Sequence, residues 1–467
     1  MRTIHADVAV IGAGTAGLAA YRAAKAEGAR TLLIEGGLHG TTCARVGCMP
    51  SKLLIAAADA AHAVMHAAAF GVHAREACID GHEVMARVKH ERDRFVSFVI
   101  DSVEAIADDD RLSGHARFID DGRLRIGDDM RVHAASVVIA TGSAPVIPDV
   151  LLGLGDRLVV NDDVFSWNTL PKSVAVVGAG VIGLELGQAL ARLGVKVSVL
   201  GSHGRVGPLT DPAIIAEAKN RLATEFHLEP QGSVVSAIRI GSGVLLRYRR
   251  TDGSLHEGCY EYVLAACGRQ PNVTRIGLKN TSIETDARGV PHFDAQTLQA
   301  GALPVFMAGD VNGKLQILHE AADEGRVAGR NAARLAKNGE ATSLVRRAPL
   351  AVVFTDPQMA LVGQRFGDLP GGSFVVGEVS FVDQGRSRVM LNNRGRLRVY
   401  AERGSGRFLG AEMMAPAAEH LGHLLAWSLQ MNLTIDAMLA MPFYHPVVEE
   451  GVRTALRDAA KNLGRTD

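Results

Sequence analysis

The chain has 467 residues, enough for about three domains, and its 51 glycines, 5% aromatics and 47% hydrophobic residues fit a glycine-turned α/β enzyme. Basic and acidic residues balance at 50 each, which argues against nucleic acid or an anionic membrane as a partner. Five cysteines, an odd number in so long a chain, exclude the disulfide framework of small secreted domains.

From Met1 the chain runs through MRTIHADVAVIG directly into a strand, without a charged leader or a cleavage site. No apolar run is expected to reach the roughly 18 residues of a membrane span, so a cytoplasmic protein without a membrane partner is expected. The segment ADVAVIGAGTAGLAAYRAAKAEG, followed by ARTLLIE, reads as strand, glycine turn, helix and a second strand ending in Glu35. Gly12, Gly14 and Gly17 supply GxGxxG, which lets a pyrophosphate approach the positive end of the helix, while Glu35 accepts ribose hydroxyls. The alternative is a tight strand-to-helix turn without a ligand.

A few residues later comes GTTCARVGCMPSK, with Cys43 and Cys48. These two lack the spacing and second ligand pair of a structural zinc site, and no metal site is expected. If the first dinucleotide is FAD, a thiol pair on the following helix could face its isoalloxazine ring and couple hydride chemistry to thiol exchange. Cys78, Cys259 and Cys267 are scattered and are expected to be buried, unreactive thiols.

Two helical stretches and ASVVIATGSAPVIP lead to SVAVVGAGVIGLELGQALARLGVKVSVLG, where Gly178, Gly180 and Gly183 repeat the glycine pattern. The second strand of this repeat ends in Leu200 and Gly201, without an acid. Two such modules imply two dinucleotides with electrons passing between them; a duplicated fold with one empty site is the alternative. After YVLAACGRQPN and LPVFMAGDVNGK the texture changes near residue 345 to strands followed by helices, an α+β region with no nucleotide motif.

GTTCARVGCMPSK closely resembles the redox-active segment of the pyridine nucleotide-disulfide oxidoreductases, most like dihydrolipoamide dehydrogenase and its glutathione and mercuric reductase relatives. The resemblance runs along the whole chain: GxGxxG with Glu35, ATGSAP at Ala140–Pro145, the second glycine motif, GRQPN from Gly268, AGD at Ala308–Asp310, FTDP at Phe354–Pro357 and HPVVEE at His445–Glu450. It implies an α/β fold with two Rossmann-like dinucleotide-binding domains and an α+β C-terminal dimerisation domain. The expected boundaries are 1–150 and 271–344 for the two parts of the FAD-binding region, 151–270 for the NAD(P) domain and 345–467 for dimerisation.

The same resemblance implies the roles. Cys48 stacks on the flavin and forms the charge-transfer complex, Cys43 exchanges with substrate, and the two form the redox-active disulfide. Asp310 bonds the ribityl chain, Thr141 and Gly142 lie along the cofactor, and the helix beginning near His319 points its positive end at the ring. Lys52, one turn after Cys48, pairs with Glu185 beside the hydride-receiving nitrogen. His445 and Glu450 form the acid–base pair, a task that suits a residue type titrating near neutrality.

The sequence departs from the common pattern in three places. Thr41 and Arg45 replace a glycine and an asparagine around the first thiol, and Arg45 is read either as an aid to a thiolate or anion or as a solvated side chain. Phe443 and Tyr444 replace His-Ala ahead of His445. Gly201 stands where NAD-specific members carry an acid, with Arg205 close by, whereas Gly183 and Gly187 match NAD-type members; NAD is therefore favoured, with NADP open.

The leading expectation is a homodimeric, FAD-dependent dihydrolipoamide dehydrogenase, working with NAD and serving lipoyl domains of a 2-oxoacid dehydrogenase complex. A second is an NAD(P)H-dependent reductase of another disulfide, a quinone or an oxidant. A third, a flavin-bound redox sensor, has no use for the His445–Glu450 pair.

Overall fold

The computed structural model describes residues 2–74 and 78–465. Its contacts divide the chain into two compact units, each assembled from three separate segments.

The first unit comprises Met1–Pro50, Arg87–Val146 and Gly268–Arg346. Its sheet places Arg111–Ser113, Thr31–Glu35, Arg2–Ile11 and Met130–Ile139 side by side in parallel, with Val305–Met307 also parallel to Met130–Ile139. Arg123–Ile126 and Ala116–Phe118 extend it antiparallel. The parallel strands are continuous apolar runs because both faces are covered: Val8, Ala9, Val10, Leu32, Leu33 and Ile34 are all buried. Helices Thr15–Ala26 and Leu318–Ala336 pack tightly together. Gly325 and Gly329 permit this, since a Cβ at either would overlap the carbonyl oxygen of Ala16 or Ala20.

The second unit comprises Ser51–Ala86, Ile147–Cys267 and Arg347–Asp467. A parallel sheet orders His227–Glu229, Lys196–Leu200, Ser173–Val177, Tyr262–Ala265 and Leu158–Val159. Strands Ser233–Ile240, Gly243–Arg249 and Leu255–Tyr260 form an antiparallel meander. The C-terminal part is a five-stranded antiparallel sheet, Leu350–Val353, Gln358–Gly363, Phe408–Ala415, Arg396–Glu402 and Phe374–Ser380. Helices Ala418–Gln430 and Glu450–Asn462 cover it, closing a core around Phe381, Phe408, Met413, Leu421 and Leu456. One strand residue in this interior is charged. Glu412 is fully buried and accepts hydrogen bonds from the backbone N–H groups of Thr210 (2.7 Å), Asp211 (3.0 Å) and Phe366 (3.0 Å), which satisfy its carboxylate.

Two expectations are corrected. The helical stretch Thr42–Phe70 is long and apolar enough to cross a membrane by length and composition, contrary to the reading that no run approaches that size, and only 11% of its apolar window is buried. Alanine makes up much of the stretch, and Asp59, His62 and His66 interrupt its apolar run. Cys78 and Cys259 are exposed rather than buried; only Cys267 approaches the expected state, half-buried, bonded to the Val177 carbonyl and with its thiol pKa raised by burial.

Candidate functional site

The two glycine turns are the same object built twice. Gly12 (φ +107°) and Gly178 (φ +119°) adopt a conformation that favours glycine, and a Cβ there would overlap the carbonyl oxygen of Ala140 or Ala266 on the neighbouring strand. A Cβ on Gly17 or Gly183 would overlap the carbonyl of the first glycine of its own turn. Gly14 and Gly180 differ from these. Each has nothing within 4 Å of where a Cβ would stand, so these are the positions where a bulky group can come against the backbone at a helix N-terminus.

Around the first turn, the Glu35 carboxylate accepts from Ala13 N–H and Gly37 N–H, both at 2.7 Å, at the end of its strand. Asp310 accepts from the Ser143 hydroxyl at 2.8 Å, and Arg269 Nε donates to that same hydroxyl at 2.8 Å. Thr141 and Asn272 exchange side chain-to-backbone bonds of 2.8 and 3.0 Å. Gly142 and Gly268 both have positive φ and open space at the Cβ position. Helix Leu318–Ala336 starts one residue before His319, as expected. The open Gly14, with carboxylates at Glu35 and Asp310, suits a dinucleotide with ribose or ribityl hydroxyls.

The thiols stand as a near-disulfide pair. They do not share one helix: Cys43 lies in the short helix Thr42–Val46, and Cys48 opens the next one, Cys48–His66, after a break at Gly47. Thr41 caps the short helix by accepting from Ala44 N–H (3.3 Å), at φ +58°, a backbone state that favours glycine. Arg45 donates to the Leu38 carbonyl at 3.4 Å.

Lys52 Nζ and Glu185 Oε2 form an ion pair at 2.7 Å, with Glu185 almost fully buried. The ammonium sits 4.5 Å from the centre of the Phe354 ring. His445 Nδ1 lies 3.0 and 3.2 Å from the two Glu450 oxygens, and this hydrogen bond, ahead of bonds from Val447 and the charges of His445 and Arg453, holds the Glu450 carboxyl below its usual range. The imidazole is exposed, with Nδ1 held by the Glu450 carboxylate. Of the two aromatics before it, Tyr444 is exposed, whereas Phe443 packs on the C-terminal core with Arg453 over its ring.

At Gly201, a Cβ would stand 2.8 Å from the Pro230 carbonyl oxygen and 2.9 Å from Ala179 Cβ, which gives the missing acid a steric reason. Gly187 likewise answers to packing: a Cβ there would meet Val199 at 2.8 Å.

Sequence reasoning missed a cleft of about 830 Å³ in the first unit, with Cys43 in its wall. Its lining is mostly apolar, including Leu18, Phe95 and Phe98, and among the described residues its charged members are Arg22, Arg326 and Arg330. Arg22 donates to Ser102 Oγ at 3.3 Å, Arg326 pairs with Asp323, and Arg330 stands 3.7 Å from Glu27. Spacing gives one partial signal, since Arg326 and Arg330 lie four apart on one helix; Arg22 joins them only through the fold.

Residues 6–325 match the family model described as pyridine nucleotide-disulphide oxidoreductase, and residues 350–456 match the dimerisation domain of the same family. Dihydrolipoyl dehydrogenase 2 of Haloarcula marismortui is 31% identical over 97% of this chain and 96% of its own length. The dihydrolipoyl dehydrogenase of Geobacillus stearothermophilus is 29% identical over 96% and 94%, and a mercuric reductase of Shigella flexneri 31% over 98% and 81%. Among solved structures, the HOCl-induced flavoprotein disulfide reductase RclA of Escherichia coli (TM-score 0.79, 23% identity, 97% of this chain and 99% of that one) shares the fold. So does LpdA of Mycobacterium tuberculosis (TM-score 0.81, 24% identity, 98% and 99%).

Proposed function

The chain belongs to the pyridine nucleotide-disulphide oxidoreductase family, and on that premise we propose that it is an FAD-dependent dihydrolipoamide dehydrogenase working with NAD through Cys43 and Cys48. The observation that carries this reading is the near-disulfide thiol pair placed directly after a dinucleotide turn, in a chain whose relatives include dihydrolipoyl dehydrogenases matched along nearly their whole length. Members of the family depend on FAD and a pyridine nucleotide, and the dimerisation domain supports a homodimer.

Each residue then has a task. A dihydrolipoamide thiolate attacks the Cys43 sulfur, forming a mixed disulfide and releasing the Cys48 thiolate. His445, oriented by Glu450, takes the proton of the second substrate thiol, which closes on its neighbour, releases Cys43 as a thiol(ate) and leaves as lipoamide. Two electrons remain on the enzyme dithiol; FAD, when bound, would supply the two-electron chemistry that links this dithiol to NAD. Glu35, Asp310, Thr141, Gly142 and Gly268 would hold the FAD, Gly178, Gly180 and Gly183 would admit the second dinucleotide, and Lys52 and Glu185 would serve the hydride exchange as a charged pair. The exposed Arg205 beyond Gly201 favours tolerance of NADP alongside NAD.

The arginines of the cleft favour a second reading, an NAD(P)H-dependent reductase whose disulfide substrate carries carboxylates. One comparison separates the two: steady-state turnover of dihydrolipoamide with NAD against NADH with glutathione disulfide, together with lipoate beside lipoamide, which share a dithiolane and differ in charge. Dihydrolipoamide oxidation as the faster reaction supports the first reading. Preference for the charged disulfides, weakened by salt, supports the second.

A further inference from the structure

Helix Val181–Arg192 turns three side chains, Glu185, Gln188 and Arg192, toward one short segment, and all three are at least nine-tenths buried. Glu185 Oε1 accepts from the N–H of Phe354 at 2.9 Å. Gln188 Oε1 accepts from the N–H of Asp356 at 2.8 Å, while its Nε2 donates to the Asp356 carbonyl at 2.8 Å. Arg192 Nη2 donates to the Asp356 carboxylate at 2.8 Å. The spacing of three and then four residues puts them on one face of the helix, so Phe354–Asp356 is held as a strap along it.

The helix carrying Lys52 is fastened to the same face at two points. Lys52 meets Glu185 at 2.7 Å, and Asp59 Oδ1 meets Arg192 Nη1 at 2.9 Å. Each rung lies seven residues beyond the other on both helices, about two turns. Glu225 completes the distal rung with a forked pair of bonds, Nε to Oε2 at 2.6 Å and Nη2 to Oε1 at 2.9 Å. Burial pulls the Arg192 pKa down, but bonds and charges from Glu225 and Asp356 outweigh it and raise the pKa overall, so the guanidinium stays charged.

We propose that Arg192 is a positioning residue for the Lys52–Glu185 pair: its planar fork fixes the register and rotation of the two helices and pins the strap. With the strap pinned, one Glu185 oxygen is committed to the Phe354 N–H and the other faces Lys52. Phe354 in turn presents its ring to the ammonium. A lysine at 192 keeps the charge but reaches one partner where the fork reaches several. This rests on the reading that Lys52 and Glu185 act at the nicotinamide step.

The test measures the two half-reactions of the FAD-loaded dimer separately by rapid mixing: flavin reduction by NADH, and flavin reduction by dihydrolipoamide. Arg192→Lys should slow the NADH half-reaction about tenfold while leaving the dihydrolipoamide half-reaction within about twofold, the signature of a misplaced pair. Asp59→Asn, which cuts the same rung at an exposed carboxylate, should slow the NADH step in the same direction by about threefold, and it serves if Arg192→Lys folds poorly. Lys52→Met and Glu185→Gln are measured in parallel. If these two slow the NADH step but Arg192→Lys and Asp59→Asn do not, or slow both half-reactions equally, positioning by Arg192 is overturned while the roles of Lys52 and Glu185 stand. If Lys52→Met and Glu185→Gln leave the NADH step unchanged, the underlying reading and the proposal fall together.

Discussion

Replacing Cys43 by serine removes one sulfur from the near-disulfide pair without touching Gly12, Gly14, Gly17, Glu35 or Asp310. The variant is expected to bind FAD as the wild type does and to lose dithiol–disulfide exchange; full turnover of dihydrolipoamide by Cys43→Ser would refute the relay. Gly201 behaves differently from what its place in the motif suggests. With the Pro230 carbonyl 2.8 Å from a Cβ, even Gly201→Ala should destabilise the protein by about 1–3 kcal/mol, read as a lowered denaturant midpoint. An unchanged midpoint would show that the Pro230 turn yields freely. The thiols and the glycine turns were legible in the sequence because the residues of each motif stand within a few positions of one another. The reason for Gly201 was not legible, because the obstructing atom lies about 30 residues away in the chain.

At the scale of elements, the strands and helices of both nucleotide modules followed from buried apolar runs and glycine turns, and the start of helix Leu318–Ala336 from the family resemblance. What escaped was convergence between elements. Arg22 comes from one helix and Arg326 and Arg330 from another, roughly 300 residues on, and nothing in either segment announces the shared cleft. Glu412 is a second case: within FLGAEMMA it resembles an ordinary strand glutamate, yet it is the acceptor for three backbone N–H groups from two other segments. Glu412→Ala should therefore cost on the order of 3 kcal/mol, because those donors lose their partner in a dry site, and Glu412→Gln should cost less. Chemical denaturation of the three proteins checks the order; equal stability of Ala and wild type would mean that water replaces the carboxylate.

For the whole molecule, the match of residues 350–456 to the family's dimerisation domain supports a homodimer, and His445 and Glu450 lie within that match. If His445 of one chain serves Cys43 of another, mixing inactive Cys43→Ser and His445→Ala chains after dissociation should restore activity in the heterodimers. Heterodimers that form but remain inactive would place both residues in one subunit's site. The exposed apolar positions Leu424, Trp427 and Met431, around helix Ala418–Gln430, offer a face for such assembly.

That helix also furnishes an optical probe. The chain has two tryptophans. Trp167 packs against Tyr262 in a tilted ring pair with centroids 5.4 Å apart, so it has a neighbour within the protomer, whereas Trp427 is 67% exposed. Association that buries the helix face should move Trp427 emission to shorter wavelength, and dilution should reverse the shift along the same curve as the change in mass. In Trp427→Phe the concentration dependence of the spectrum should vanish. A wild-type spectrum that ignores dilution while the dimer demonstrably dissociates would mean that subunits meet through another face.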